Sequence, residues 1–205
     1  MADVGCFIHS LQLCIEDAVF SQRAVIDITA KCRTICTHFS HSVVACEELK
    51  RIQTDLGLPL HKMIQDVRTR WNSTYYMLER SHEQRQALMT YGMDHDIPLL
   101  THQQWGVVAN ILRVLQPFEE LTKTCSYGEA LISVIIPSVN ALLTYLGKRQ
   151  KDSGVQTMKE ELRKAVVERF VKGKTQSLQS KELTIATLLD PRFMTAFFKV
   201  NILFS

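Results

Sequence analysis

The segment "SQRAVIDITAKCRTICTHFSHSVVACEELKRIQTDLGL", residues 21–58, decides the fold class. Apolar side chains recur along it every three or four residues: Val25, Ile28, Cys32, Ile35, Phe39, Val43, Cys46, Leu49, Ile52 and Leu56. This spacing places them on one face of an α-helix, while Lys31 and Arg33 fall on another face. The pattern predicts one long amphipathic helix, with Ser21 as its N-cap and Gly57 just past its C-terminus.

The same helical period dominates the rest of the chain. We expect Asn72 or Ser73 to cap a helix that runs through residue 88, and Thr101 to cap the next one. Strand propensity is confined to Val4–Ile8 and Met63–Arg70, and two marginal strands do not make an independent sheet. The predicted fold class is mainly α with one or two short strand remnants, whose partner strands would lie outside this chain.

Composition excludes few classes of function. Among 205 residues, 24 Lys and Arg oppose 21 Asp and Glu, so the formal charge of +3 does not argue for nucleic acid or an anionic membrane. No apolar run reaches the roughly 20 residues of a spanning helix, and no basic region follows Met1. A cytosolic or nuclear protein is therefore expected, in which the six cysteines are free thiols.

A Cys–His pair and a Cys–Cys pair raise the question of a zinc site. Cys6 and His9 have C-x-x-H spacing, and Cys32 and Cys36 could complete four ligands, with a histidine at 38 or 41 as an alternative. However, Cys32 and Cys36 both lie on the apolar face of the predicted long helix, which favours core packing. The sequence has no G-x-S-x-G, H-E-x-x-H or P-loop motif, and its acidic residues are scattered over helical faces.

The stretch around Trp71 permits two interpretations. Arg68, Arg70 and an aromatic side chain precede a helix N-terminus, a combination that suits an unstacked base and its phosphate. The alternative is a hydrophobic staple, in which Trp71 packs on Tyr75 or Tyr76 in the first turn of the helix. Composition alone favours the staple.

Four motifs along the chain point to a known family. They are "GCFIHSLQL" at 5–13, "DVRTRWNSTYYMLER" at 66–80, "FEELTKTCS" with "ISVIIPSVNALL" between 118 and 143, and "LLDPRF" at 188–193. In this order they resemble the hAT-superfamily transposases, especially the domesticated zinc finger BED domain-containing proteins. The resemblance covers nearly the whole chain, and its specificity lies in the combination of the motifs.

The resemblance implies a ribonuclease H-like fold interrupted by a large helical insertion. The chain would then comprise residues 1–92, with the C-x-x-H strand stub, the long helix and the R-W motif helix, and residues 93–205, an insertion-like helical region. In the family, two aspartates before the C-x-x-H motif and a glutamate after L-D-P-R-F hold catalytic metal ions. By position this chain is expected to lack all three, because Asp3 lies too close to Cys6 and Asp190 belongs to L-D-P-R-F. No catalytic residue, metal ligand or cofactor is therefore expected, and neither the BED finger nor the C-terminal dimerisation segment of the family is expected in these 205 residues.

The resemblance further implies contacts with DNA. In the family the tryptophan of the R-W motif stacks on a base, and the C-x-x-H histidine lies near the scissile phosphate. These roles would fall on Trp71 and His9, with Arg68 and Arg70 beside the tryptophan and Cys6 in support. We accordingly expect the Trp71 ring to be at least partly exposed.

We interpret the chain as a catalytically incomplete, transposase-derived fragment that is not an enzyme. Its expected role is a nuclear binding module for DNA or chromatin proteins, with no membrane association. One alternative is an active transposase or nuclease whose acidic residues are supplied elsewhere. Another is a relic or truncated product with no selected activity, favoured by Met1 next to a mid-domain motif and by the apolar end "VNILFS". The DNA sequence preference and the oligomeric state stay open.

Overall fold

A computed structural model describes residues 7–126, 132–148, 156–172, 180–194 and 196. In these ranges the chain is helical and contains no strand, which confirms the mainly α prediction. The α-helices are α1 Phe7–Ile15, α2 Arg23–His41, α3 Val43–Asp55, α4 Trp71–Glu83, α5 Arg85–Asp94, α6 His102–Ser126, α7 Ile135–Gly147, α8 Gln156–Val166 and α9 Lys181–Leu189. Two π-helical segments, Glu16–Phe20 and Val167–Val171, and a 3₁₀ turn, Ile132–Val134, extend them.

The strand predictions are wrong wherever the structure describes them. Ile8 lies in α1, which buries Phe7, Leu11 and Cys14 at helical spacing, while Val4 to Cys6 lie outside the described residues. Residues 63–70 form an irregular segment that ends in a turn. Burial of a helical face against neighbouring helices outweighs β-propensity at the first site, because that propensity depends on context.

The predicted long helix is two helices that meet at Ser42. Ser42 has φ −131° and ψ 109°, and its hydroxyl accepts a hydrogen bond from the Ala45 N–H at 3.1 Å. This cap restarts the helical phase, so α3 buries Ala45, Leu49 and Gln53. Val43, which the continuous pattern placed in the core, is 80% exposed.

Gly57 ends α3 as the sequence predicted. Its φ of +65° is left-handed, which glycine adopts without strain. The Gly57 N–H donates to the Thr54 carbonyl at 3.1 Å, and the Leu58 N–H donates to the Gln53 carbonyl at 2.8 Å. This pair of bonds is a Schellman motif, which satisfies carbonyls at the end of a helix.

Predictions of helix starts were right at Thr101 and wrong at two other places. The Thr101 hydroxyl accepts from the Gln104 N–H at 3.2 Å and Gln104 Oε1 accepts from the Thr101 N–H at 3.0 Å, forming a capping box. Gln22, not Ser21, is the N-cap of α2. Arg70, rather than Asn72 or Ser73, is the N-cap of α4.

The chain forms two compact units, and neither coincides with the predicted 1–92 and 93–205 segments. One unit is Val19–Leu115, and the other combines Met1–Ala18 with Gln116–Ser205. In the Val19–Leu115 unit, α2 packs against α3 and α4, and α5 packs against α3 and α4. Its fully buried side chains include Ile28, Ile35, Met77, Leu78, Leu88 and Ile111.

In the other unit, α8 packs against α1 and α7, and α9 packs against α7. Its core includes Leu11, Ile15, Phe118, Val139, Leu162 and Phe170. Pro137 lies in the first turn of α7, as predicted, where its missing N–H costs no helical hydrogen bond. None of the described helices combines the length and the apolar character needed to cross a bilayer.

Candidate nucleic-acid interface

The R-W motif follows a segment that we call the strap, residues 58–66, which connects α3 to the turn before α4 without regular secondary structure. Side chains of the surrounding helices hold its backbone. Gln84 Nε2 donates to the Pro59 carbonyl at 3.0 Å, and Gln53 Nε2 donates to the His61 carbonyl at 2.9 Å. Because Gln53 and Gln84 are almost fully buried, the start of the strap is fixed to the core.

Further along the strap, α4 and α2 supply the donors. Arg80 Nη1 donates to the Lys62 carbonyl at 2.6 Å, and the Cys36 thiol donates to the Ile64 carbonyl at 3.2 Å. A segment of this length without regular structure is uncommon inside a compact unit unless other groups satisfy its backbone. Here side chains donate to four of its carbonyls, those of residues 59, 61, 62 and 64.

Asp66 anchors the end of the strap. Its side chain is only 1% exposed and receives hydrogen bonds from Arg33 Nε to Oδ1 at 3.0 Å and from Arg33 Nη2 to Oδ2 at 2.7 Å. Thr74 Oγ1 donates to Oδ2 at 2.9 Å. Burial alone would raise the pKa of Asp66, but the bonds from Arg33 and Thr74 outweigh it, so the pKa lies below its ordinary value. Asp66 therefore joins α2, the strap and α4 as a carboxylate.

A tight turn presents the two arginines of the motif. The Arg70 N–H donates to the Val67 carbonyl at 2.8 Å, which closes a turn with Arg68 at its corner. The Ser73 hydroxyl accepts from the Val67 N–H at 2.8 Å and lies 2.8 Å from the Val67 carbonyl and 2.7 Å from the Arg70 carbonyl, to either of which it donates. We call residues 67–70 the R-W turn. The hydroxyl that was expected to cap α4 instead fixes this turn.

Arg68 and Arg70 are both exposed on the R-W turn. Within the described part of the chain, neither guanidinium forms an ion pair with a carboxylate. Arg33 and Arg80, by contrast, are engaged with Asp66 and Glu83. The turn therefore offers two uncompensated positive charges on a backbone held by hydrogen bonds.

Trp71 is buried, so the expectation of an exposed ring is wrong. It is the first residue of α4, its side chain is 2% exposed, and its ring meets the Tyr75 ring edge-on with 6.2 Å between centroids. Trp71 thus packs on Tyr75 as the alternative interpretation expected, but from the first position of the helix rather than from the position before its N-cap, so the contact is not a staple in the strict sense. Among the described residues the indole Nε1 has no hydrogen-bond partner. In this conformation no face of the ring is open to a base.

His9 belongs to the other compact unit. It lies exposed on α1, while Cys6 falls outside the described residues. The structure therefore brings together Arg68, Arg70 and Trp71 of the expected DNA-binding set.

The remaining thiols of the zinc hypothesis are core groups. Cys32 and Cys36 are fully buried, and burial raises the pKa of Cys32 to about 11 and that of Cys36 to about 12. A thiol binds zinc as the thiolate, so both would have to lose a proton inside the core. His38 Nε2 is hydrogen-bonded to the Tyr91 hydroxyl at 2.8 Å. In the described ranges no three His, Cys, Asp or Glu side chains are grouped to hold a metal ion.

The L-D-P-R-F motif forms a hydrogen-bonded turn after α9. Asp190 accepts hydrogen bonds from Ser133 Oγ at 2.7 Å and from Arg192 Nε at 2.9 Å. Bonds from the Arg192 and Ser133 side chains hold the pKa of Asp190 well below its ordinary range. The motif thus ties the end of α9 to the 3₁₀ turn before α7, a role that its sequence spacing did not reveal.

Comparison with known proteins extends the resemblance seen in the sequence. The family described as the ZBED1 RNase-like helical domain matches residues 4–114. Human zinc finger BED domain-containing protein 4 is 32% identical over 199 residues, which cover 96% of this chain and 17% of that protein. Human zinc finger BED domain-containing protein 6 is 32% identical over 200 residues, which cover 93% of this chain and 20% of that protein.

A fungal protein shares a shorter region. The putative transcriptional regulator tpeD of Talaromyces stipitatus is 35% identical over 91 residues, covering 43% of this chain and 11% of the regulator. No solved structure matches the chain. The chain spans about a fifth or less of the length of the curated relatives named here.

Proposed function

The chain belongs to the family of ZBED1 RNase-like helical domains, and from that premise we propose that it is a non-catalytic, nuclear binding module that contacts DNA. The observation that carries the proposal is the R-W turn, where Arg68 and Arg70 are exposed without a carboxylate partner among the described residues. Arginine recognises phosphate with a planar fork of donors, and such contacts supply most of the affinity for nucleic acid.

The buried position of Trp71 shapes the kind of contact. A base-stacking platform needs an open ring face, whereas Trp71 is 2% exposed. The arginines would therefore bind the phosphate backbone while Trp71 holds the start of α4 beneath them. Phosphate contacts fix orientation and carry no base information, so we expect weak sequence preference.

The names of the relatives support the proposal at a general level. Two are zinc finger BED domain-containing proteins and one is a putative transcriptional regulator, which is consistent with a nuclear role beside DNA or chromatin proteins. The chain corresponds to only a small share of each relative. Its module would act within or beside other DNA-binding elements rather than select a site alone.

The absence of catalysis is the second part of the proposal. Metal-dependent strand transfer needs carboxylates that converge on a divalent ion. Asp66, the carboxylate closest in sequence to the R-W turn, already accepts bonds from Arg33 and Thr74 on a side chain that is 1% exposed. Its oxygens serve structure, which supports a binding role over a nuclease role.

The test is a salt titration of DNA binding. Binding of the 205-residue chain to a labelled hairpin DNA is followed by fluorescence anisotropy across a range of salt concentrations. The Arg68→Ala/Arg70→Ala variant should lower the slope of log K against log salt by about 2 if each arginine releases roughly one counterion. The control is Arg23→Ala/Arg51→Ala, which removes the same charge at exposed positions of α2 and α3. Equal effects of the two double variants, or no binding by the parent chain, would contradict the proposal.

A further inference from the structure

The junction of α2 and α3, residues 39–45, which we call the elbow, departs from helical geometry at a single residue. Ser42 is extended, with φ −131° and ψ 109°, while its neighbours on both sides are helical. Glycine and proline, which weaken or break helices, do not occur from residue 21 to residue 56. The helical period of apolar residues also continues through the elbow in phase, from Phe39 to Val43 and Cys46. The local sequence is therefore compatible with one continuous helix as well as with two.

The bent elbow leaves helical hydrogen bonds unmade. In a continuous helix each N–H donates to the carbonyl four residues earlier, so the Val43 N–H would bond the Phe39 carbonyl. Here that carbonyl accepts from the Cys46 thiol at 2.9 Å instead. The N–H groups of Val43 and Val44 have no partner among the residues that the structure describes, and their side chains are 80% and 77% exposed. Straightening the elbow would give both donors a partner within the chain.

Contacts across the elbow determine what could receive α2 if the elbow straightened. Arg33 pairs with Asp66 at 2.7 Å, and the Cys36 thiol donates to the Ile64 carbonyl at 3.2 Å. Each contact joins α2 to a residue that follows Ser42, so α2 would lose these partners within its own molecule. A second copy of this chain presents the same partners in the same arrangement, and α2 can remake its contacts there.

The part of the chain after the elbow would keep its own packing. Gln53 Nε2 donates to Gln84 Oε1 at 3.0 Å, and His95 Nε2 lies 3.0 Å from Glu48 Oε2. These bonds tie α3 to the two ends of α5, and both helices follow Ser42. A straightened elbow therefore moves α3 and α5 together and breaks neither bond.

We propose that two copies of this chain exchange the segment that precedes Ser42, and that the elbow of each copy straightens to join α2 and α3 in one continuous helix. In this dimer α2 packs against α4 of the second copy, and Arg33 pairs with Asp66 of the second copy. The exchanged segment also carries α1, whose packing against α8 is remade in the same way. Exchange of an identical element costs little, because the two copies remake most of the contacts that each one loses. The dimer uses neither Arg68 nor Arg70 and does not depend on DNA binding.

The test compares dimer formation by elbow variants of the 205-residue chain. Each protein is unfolded in urea and refolded at several protein concentrations with a thiol reductant, and size-exclusion chromatography with light scattering gives the dimer fraction. Val43→Pro should stay monomeric, because proline fits the first turn of α3 but interrupts a continuous helix. The extended conformation of Ser42 is also the one that a following proline favours. The matched control Val43→Ala removes the same exposed side chain and keeps the N–H, so it should still dimerise.

Ser42→Ala tests the opposite direction. The Ser42 hydroxyl caps α3 by accepting from the Ala45 N–H at 3.1 Å, and alanine removes this cap while favouring a helix. The dimerisation constant should rise at least roughly tenfold, because both monomers lose a cap and the dimer loses none. This variant decides the question if Val43→Pro fails to fold.

Subunit mixing separates an exchanged dimer from two copies that associate side by side. Dimers carrying different fluorescent labels should form mixed dimers only after unfolding in urea, because α2 must leave its partners before the copies can separate. The proposal is overturned if Ser42→Ala dimerises no more than the parent, if folded Val43→Pro dimerises as Val43→Ala does, or if labelled dimers mix on dilution without urea.

Discussion

Replacing Trp71 by alanine should destabilise the Val19–Leu115 unit by about 3 kcal/mol. A tryptophan buries roughly 150–250 Å², and at about 25 cal/mol per Å² this is worth about 4–6 kcal/mol for a ring that is 2% exposed. The buried indole N–H has no partner among the described residues, and its removal returns about 1–3 kcal/mol. Taken between the centres of the two ranges, the difference is about 3 kcal/mol, at the lower end of the roughly 3–5 kcal/mol measured for deletions of large aromatic side chains.

The measurement is urea unfolding followed by far-ultraviolet circular dichroism, with Trp71→Phe as the matched variant. Phenylalanine keeps a ring against Tyr75 and lacks the orphan N–H, so its cost should stay below about 1.5 kcal/mol. If Trp71→Ala loses less than about 1 kcal/mol, the ring is not a core anchor and the buried geometry is refuted.

DNA binding by Trp71→Leu completes the comparison. Leucine fills part of the pocket under α4 but offers no aromatic face, so the affinity for hairpin DNA should change less than twofold when the protein is folded. If the ring stacked on a base, the loss would be about 1–3 kcal/mol, or roughly 5- to 150-fold. A loss of that size with a normal urea midpoint would restore the base-stacking interpretation.

Three further outcomes are expected. Asp66→Asn should lower the free energy of unfolding by about 1.5–3 kcal/mol near neutral pH, measured by urea unfolding at several pH values. Because the pKa of Asp66 in the folded protein lies below its ordinary value, this loss should persist above about pH 4 and shrink as the pH falls through the folded pKa. Cys32 and Cys36, whose pKa values are raised to about 11 and about 12, should stay protonated in the core and resist a thiol reagent until the protein unfolds. Stoichiometric zinc in protein purified without added metal would contradict this assignment of the two thiols to the core. The chain with Mn²⁺ should leave supercoiled plasmid intact, and cleavage that Asp66→Asn abolishes would show that this carboxylate is catalytic.

Local signals in the sequence were sufficient for much of the helical architecture. The capping box at Thr101, the left-handed Gly57 and the first-turn Pro137 depend on residues within one turn of helix, and all three are where the pattern predicted. The apolar stripe from Val25 to Phe39 is also buried as expected. Such features are determined by interactions among residues that are close together in the sequence.

The break at Ser42 and the strap depend on tertiary contacts. A serine within a continuous helical pattern of apolar residues does not by itself predict an N-cap, because serine is also tolerated inside a helix. Residues 63–70 were predicted as a strand, and the sequence could not show that side chains such as Gln53, Gln84 and Arg80 hold the backbone of the neighbouring strap in place of a partner strand. Polar residues at buried positions of α3 and α4 were the available signal, and they become informative only once the helices are placed.

The R-W motif could be located from the sequence, but which of its residues are buried and which are exposed could not be predicted. Adjacent residues in a turn can face opposite ways, and only packing decides which enters the core. Ser73 and Asp66 fix the backbone on either side of Arg68 and Arg70, so binding of a phosphate need not order that backbone. In the sequence alone, a tryptophan beside two arginines suggests a ligand-binding residue. In the folded chain the same tryptophan is the support that lets the arginines stay outside.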